Sequence, residues 1–600
     1  MRRLAGRGGR HGRYSLPAGP TGSVIPDPPG GGGCDAVVSV SPAYGSTAGG
    51  TAVTITVENA VGDLSNAVYF GASLATGVTV VSPTSITCDT PTGSGSVTVS
   101  VADKSLADGF GYVASDWRTV THTRPTPAQN NPVTKYANLA ASGTGHAGTE
   151  GDPYSLADIQ TQVQAGNAHG WTINCKGDGG NDGFYFSSGG GISTDWLILQ
   201  QWAGQTQANL NGGDDEYPAV WVTGRSYIVI DGFTLGGGNV DSNGVVKVAA
   251  GGSNVHIINS TIDAGTWAPG VLLNNASACW VIDNAILHCG DIDEGNDGDG
   301  VYICNGSTNN YIVGNTITHC GHSALTISFL NTGEGVCTGN VIANNLINNT
   351  EAGGIILNGK ANGTTVECND IWGSGTYDGA NPPATESGIL LQGDGNTVRY
   401  NRIWNCDGAG IELQAYTFAG FQQGAINSHV HNNTIFNVCQ DAGYSGGIAL
   451  TITTGAPDTY LVDNVIESNL IWGVHSTYES PSYPNKPLIT VAEFSSGGNW
   501  SSGIGGNIIR NNGGGVDDTP ACFAYVSKSG GTTSYTVAEF NAAGFANCAD
   551  NWGLEDPLFE SEVTPDLAIQ TGSPAIDAGY ETDGVSYLGS APDCGAYEKA

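Results

Sequence analysis

Between Cys34 and Val113 the chain alternates apolar and polar residues in short runs: VVSVSP, AVTITVE, AVYFG, GVTVVS and SVTVSVA. A period of two, with β-branched residues and Gly, Pro or Ser at the breaks, predicts strands rather than helices. Several such runs at about ten-residue spacing predict a small β-sandwich over residues 34–113.

From about residue 228 a second pattern begins and repeats. A short apolar run leads into Asn-x-Ile or a near variant, with copies starting at Asp231, Ser260, Asn284, Asn315, Asn345, Asn369, Asn401, Asn433, Asn469 and Asn507. Successive copies lie 24 to 38 residues apart. After most of them comes a Gly-containing corner and another apolar strand, as in GVYI (300–303), GGIIL (353–357), SGILL (387–391), AGIEL (409–413) and GGIAL (446–450). Repeats of this length built from period-two strands predict a long right-handed parallel β-helix, one coil per repeat, and exclude a helix-based solenoid. Stacked coils pair at about 4.8 Å, so equivalent side chains form ladders. The asparagines are expected in a buried turn ladder and the isoleucines in the core. Cys289, Cys320 and Cys406 lie five residues after a repeat asparagine and Cys439 six after, so they are expected to stack inward as free thiols. No CxxC pair or Cys/His zinc spacing occurs, and the pairing of Cys34 with Cys88 stays open.

The chain is therefore all-β and divides into five parts: a basic, Gly/Pro-rich arm and linker (1–33), the sandwich (34–113), a linker with an N-terminal cap and first coils (114–227), the repeats (228–515), and C-terminal coils with a closing segment (516–600). Composition changes this picture in two ways. Glycine numbers 92 of 600 residues, about twice average usage, which suits repeated corners. The formal charge is −36, and residues 1–13 hold five of the 19 basic residues, leaving −41 for the rest. Such a body is a poor partner for nucleic acid or an anionic membrane, and no apolar run reaches the ~20 residues of a membrane helix. The arginine-rich start is not followed by an apolar segment of about 7–15 residues, so no signal peptide is recognised.

Two stretches resemble known families. SPAYGSTAGGTAVTITVENA, VYFGA, SPTSITCDTP, VTVSV and FGY occur in an order that resembles the IPT/TIG immunoglobulin-like domain. That resemblance implies a spacer or binding module without chemistry. YANLAASGTGHAGTEGDPYSLADIQTQVQAGNAHGWTINCKG (136–177) is similar to the N-terminal cap of pectate-lyase-like β-helix proteins, with Ser155 as helix N-cap. EDPLF, LAIQTGSPAIDAGY and DCGAYE near the end resemble the closing motif of such proteins. The fold implied hosts lyases, hydrolases, epimerases and non-catalytic adhesins.

Candidate chemistry follows from the coils. Asp299, His322, Glu351, Glu386 and Asp407 stand two to four residues before the corner-following strand of their units. This spacing predicts a column of titratable groups about 5 Å apart, able to raise one another's pKa and act as acid and base. Asp291, Asp293, Glu294 and Asp297 form an acidic loop dense enough in oxygen for Ca2+, although the EF-hand spacing fails at Gly295. Trp372, Tyr377, Tyr416, Phe418 and Phe421 are candidates for a sugar-stacking wall. Polygalacturonase and epimerase signatures are absent.

Three readings remain. The first is a virion-associated tail-fibre or tailspike-like protein that binds surface polysaccharide, forms a homotrimer and meets other virion proteins through its arm. The second is a secreted polysaccharide lyase or glycoside hydrolase, and the third a structural or adhesive solenoid. The first two place the chain on a virion surface or outside the cell.

Overall fold

The structure is a computed structural model. It describes residues 33–597 except 42–43, 47–51, 94, 114–119, 181, 213–216, 238–243, 266–267, 291–297, 329–332, 376–386, 419–420, 440–445, 454–455, 457, 475–488, 494–506, 511, 516–522, 527–531, 543–549, 553–555, 562–565, 571 and 581–590. The chain divides into two compact units, Met1–Ser115 and Asp116–Ala600.

The first unit holds the expected sandwich. Ala36–Ser41, Ala52–Glu58, Ser85–Asp89 and Thr76–Ser82 form a four-stranded sheet. Tyr44–Ser46, Lys104–Val113, Gly95–Val101, Val68–Phe70 and Ser73–Leu74 form a five-stranded one. Ile55, Ile86, Val99 and Phe110 meet between them, and Phe70 packs edge-on to Phe110 with ring centroids 5.0 Å apart. Cys34 and Cys88 are both buried and free, which settles the pairing left open above. Burial pushes the Cys88 thiol up to about 12.

The second unit is the parallel β-helix. A typical coil comprises Tyr311–Val313, Thr316–Cys320 and Ser323–Ile327. First and second strands stack into one 24-stranded sheet, and third strands into one 14-stranded sheet. Ile286, Ile317, Ile347, Ile371, Ile403, Ile435 and Ile471 follow one another in register and are fully buried. Opposite this ladder the strand-leading corner must stay small. A Cβ on Gly300, Gly354, Gly388 or Gly410 would lie 2.4–2.5 Å from an isoleucine methyl. The cysteine column is mixed: Cys289 and Cys320 stack in register, then Thr350 and Ser374 continue before Cys406. All of these side chains are buried.

The asparagine ladder forms as expected, with two changes at its ends. It runs from Asn284 through Asn315, Asn345, Asn369, Asn401, Asn433 and Asn469 to Asn512 and Asn551, each Nδ2 donating to the next Oδ1 at 2.9–3.2 Å. Asn507 belongs instead to a second ladder, where Asn464 donates to it at 2.8 Å. Its apolar flank mimics the first ladder, so sequence alone misassigns it. Asp231 also lies off the ladder, because Phe233 is the residue whose N–H meets Ser260 Oγ.

Two non-repeating segments dock on the first-strand side. Ser155 caps the helix Leu156–Gln164 through a reciprocal bond with Asp158, as expected. Residues 120–131 form a strap rather than a free linker. Val120 O accepts from Asn344 Nδ2 at 2.9 Å, His122 Nε2 meets Glu367 at 2.7 Å, Arg124 reaches His256 at 3.1 Å, and Ala128 O accepts from Trp196 N–H at 2.8 Å. The closing segment also lies against a flank. Gly595 N–H donates to Ser468 O at 2.8 Å, and Ala596 N–H to Thr434 Oγ1 at 2.9 Å.

His256 is fully buried between Trp196 and Trp280, with ring centroids 4.7 and 6.3 Å away. A guanidinium only donates, so His256 Nδ1 accepts from Arg124 and the ring is neutral. Burial, and then the Arg124 charge, push its pKa down to about 3.

Two predictions follow from these contacts. Asn401→Leu removes the acceptor of both Asn369 N–H and its Nδ2, and urea unfolding should show a loss of about 2–5 kcal/mol. A loss under about 0.5 kcal/mol would contradict a tensioned ladder. His256 takes a proton in the unfolded chain near pH 6.5 but in the folded chain only near 3. Stability from this residue is therefore complete above pH 6.5 and lost as pH falls toward 3. Thermal melts across that window should slope less steeply in His256→Gln.

Candidate functional site

The third strands decide where chemistry can reach solvent. Their odd positions fill the core and their even positions point outward. In register, the outward column reads Tyr185, Trp221, Lys247, Leu272, Tyr302, Thr326, Ile356, Leu390, Glu412 and Ala449. The next outward position carries Asn274, Cys304, Ser328, Asn358, Gln392, Gln414 and Thr451.

Asp299 and His322, two of the five expected column residues, come together at the leading edge of this face. His322 Nδ1 lies 2.9 Å from Asp299 Oδ1, and Thr326 Oγ1 donates to the same oxygen at 2.6 Å. The Asp299 side chain is 11% exposed and that of His322 33%. Tyr302 stands beside Thr326 in register. Burial, reinforced by the Asp299 charge, pushes its phenol well above the ordinary range, so it stays protonated.

Four of the five residues of the expected column lie among the described residues. The corners of Asp299 and His322 are joined by His322 N–H donating to Gly298 O at 3.2 Å and Gly300 N–H donating to Ser323 O at 3.0 Å. Glu351 and Asp407 each follow the cysteine column by one residue, with the coil of Gly375 between them, so they stand two coils apart, about 10 Å. Glu351 is buried and Asp407 half-buried. Glu386, with Tyr377 and the acidic loop Asp291, Asp293, Glu294 and Asp297, lies outside the described residues. Among the described residues no group of three or more His, Cys, Asp or Glu side chains is placed to hold a metal ion.

The aromatic wall is also redistributed. Trp372 lies on a second strand, Asp370–Ser374, stacked on Trp404 at 4.9 Å with planes 6° apart. It therefore belongs to a different sheet from Asp299 and His322. Tyr416 lies on the long third strand Ile411–Phe418, which turns back as Phe421–Gly424. The side chains of Phe418 and Phe421 lie outside the described residues. An aromatic platform that the sequence reading missed does lie on the outward face. The Tyr185 and Trp221 rings are 4.9 Å apart, with the Lys247 ammonium 5.2 Å over Trp221.

Glu412 was also missed. It accepts from Thr451 Oγ1 at 2.5 Å, Gln414 Nε2 at 2.9 Å and Ser387 Oγ at 3.1 Å. Burial pushes its carboxyl above the ordinary range against these three bonds. The signal was present in AGIEL, where the equivalent position of neighbouring units is Leu390 or Ala449.

Comparison with known proteins agrees with this architecture. Residues 36–115 match the IPT/TIG domain, and residues 200–371 the right handed beta helix region. The chain is similar to the solved structure of pectate lyase Pel9A, at 14% identity over 78% of this chain and 96% of that one, with a TM-score of 0.40. It is also similar to the A-module of the mannuronan C-5 epimerase AlgE4 of Azotobacter vinelandii, at 15% identity over 61% and 99%, TM-score 0.39. The Dettilon tailspike protein is 15% identical over 63% and 69%, TM-score 0.36. No curated protein matches. Among the described residues no helix is long and apolar enough to cross a membrane.

Proposed function

We propose that this chain, an IPT/TIG module followed by a right-handed parallel β-helix, binds polysaccharide along the outward face of its 14-stranded sheet and cleaves it by proton transfer. The observation that carries the reading is the Asp299–His322 pair beside Tyr302 on that face. A carboxylate on Nδ1 orients the imidazole and raises its basicity. A half-buried phenol that stays protonated is a proton donor. Base and acid of different kinds, as His322 and Tyr302 are, suit β-elimination. His322 takes the proton α to a uronate carboxyl, a C=C bond forms as the C–O bond to the leaving sugar breaks, and Tyr302 delivers its proton to the leaving oxygen. The Tyr185–Trp221 platform supports sugar rings, and Lys247 supplies the cation for an acidic sugar.

The favoured setting is a virion tail. A basic arm precedes the IPT/TIG spacer, and the twelve cysteines that the structure describes are free, as expected of a protein folded in a reducing cytosol. In that setting the protein is a homotrimer whose arm docks on other virion proteins. Light scattering should then give a trimer, and a clean monomer would count against the tail reading.

Incubation with polygalacturonate, alginate and a neutral glucan tests the chemistry. Unsaturated products should absorb in the ultraviolet, and His322→Ala and Tyr302→Phe should each lower the rate by about 10²-fold or more. New reducing ends without unsaturation would overturn β-elimination. Full activity in both variants would remove this centre from consideration.

A further inference from the structure

Among the described residues Glu412 is the one carboxylate in the outward column of the third strands, and its bonds to Thr451, Ser387 and Gln414 are all to neutral hydroxyls and an amide. Its neighbours in register are Leu390 and Ala449, so the fold itself does not call for a charge there. Glu412 is half-buried, and a carboxylate that gives up part of its water to neutral hydroxyls and amides persists where those hydrogen bonds fix something else.

What they fix is traceable atom by atom. Gln414 Nε2 donates to Glu412, and Gln392 Nε2 donates to Gln414 Oε1 at 2.5 Å. Gln423 Nε2 donates to Gln392 Oε1 at 3.0 Å, and Gln423 Oε1 accepts from Gly359 N–H at 2.9 Å. Gln423 lies on the returning strand Phe421–Gly424, the second arm of the hairpin that begins at Ile411. The chain of amides therefore ties this hairpin back over the coils of Gln392 and Gly359. The hairpin leaves the sheet at the trailing end of its strand, whereas Asp299 and His322 stand at the leading edge. A carboxylate accepts without donating, so it gives the amide chain one direction and one arrangement.

We infer that Glu412 is the positioning residue of the wall that bounds the polysaccharide face, holding the Ile411–Gly424 hairpin through Gln414, Gln392 and Gln423 so that long glycan chains are gripped across from the Asp299–His322 centre. The second half of this statement rests on the reading that this face binds polysaccharide; the first does not. Asp299 and Glu412 are four coils apart, about 19 Å. Short oligosaccharides at the Asp299 centre do not reach the wall, and long ones do.

Two measurements on the full chain test it with Glu412→Leu and Glu412→Gln. In Glu412→Leu, amide exchange across 421–425 should accelerate by about tenfold or more, while exchange in the coils around Asn345 stays unchanged. Affinity for long oligosaccharides of polygalacturonate or alginate should fall by about tenfold, with short ones unaffected. Glu412→Gln keeps an oxygen for Gln414 and Thr451 and should restore both to within about twofold. Unchanged exchange across 421–425 in Glu412→Leu overturns the anchor. Faster exchange with equal losses for long and short chains overturns the wall. Wild-type protein that binds none of these chains sinks the reading of the face and the wall with it, but leaves the exchange result to decide the anchor.

Discussion

One buried side-chain amide, repeated coil after coil from Asn284 to Asn551, fixes the register of most of the solenoid. Asn401 shows the arrangement. Its Nδ2 donates to Val366 O and to Asn433 Oδ1, and its Oδ1 accepts both the main-chain N–H and the Nδ2 of Asn369. Donors and acceptors are all used, in a site with no water-facing surface. A slip of one residue would bury several unsatisfied amides and turn every side chain to the opposite face. The ladder also dictates the backbone before it. Asp283, Gly314, Asn344, Cys368, Tyr400, Asn432 and Ser468 all adopt positive φ between 50° and 69°. Tyr400 and Cys368 are poor choices for that conformation, and the bonds on either side hold them in it.

Once register is fixed, the rest is allocation. Inward positions go to the isoleucine ladder and to small residues facing it, so insertions and chemistry are confined to corners and to outward strand positions. This is why Asp299, His322 and Tyr302 can meet. Asp299 leads one third strand, Tyr302 follows it outward in the same coil, and Thr326 lies beside Tyr302 in the next. The same allocation puts Trp372 and Trp404 on a separate sheet, where their stacking serves a different surface.

The fold was legible because its signals are local. Period-two strands, Asn-x-Ile and the IPT/TIG runs each occupy a handful of residues, and Ser155 announces its helix in the same way. The site was legible only in part. Asp299 and His322 were found as members of a column, but the spacing did not single out their pairing. Tyr302 and Glu412 were readable by strand parity within GVYI and AGIEL, a more reliable ruler than distance to the next strand. The closing segment was legible from its motifs, but where it and the strap dock left no local trace. His122 meets Glu367 across 245 positions, and Ala596 meets Thr434 across 162.

The sparse positive charge bears on what the open face can bind. On the first- and second-strand side, buried carboxylates come with partners. Glu367, 1% exposed, faces Arg399 and His122; Asp370 pairs with Arg402; Glu467 meets His429. These contacts fasten coils to one another and to the strap, and they occupy Arg399 and Arg402 of the 14 basic residues outside the arm. In the outward column of the third strands the described residues include one cation, Lys247, and one carboxylate, Glu412, the latter held by neutral hydroxyls and amides alone. A face built this way has little Coulombic attraction for a bare polyanion and many groups that bond hydroxyls. Affinity there must come from ring stacking and from amides and hydroxyls that are already oriented. For the polysaccharide proposed above, the direction of the amide chain ending at Glu412 would therefore matter more than the −36 carried by the chain as a whole.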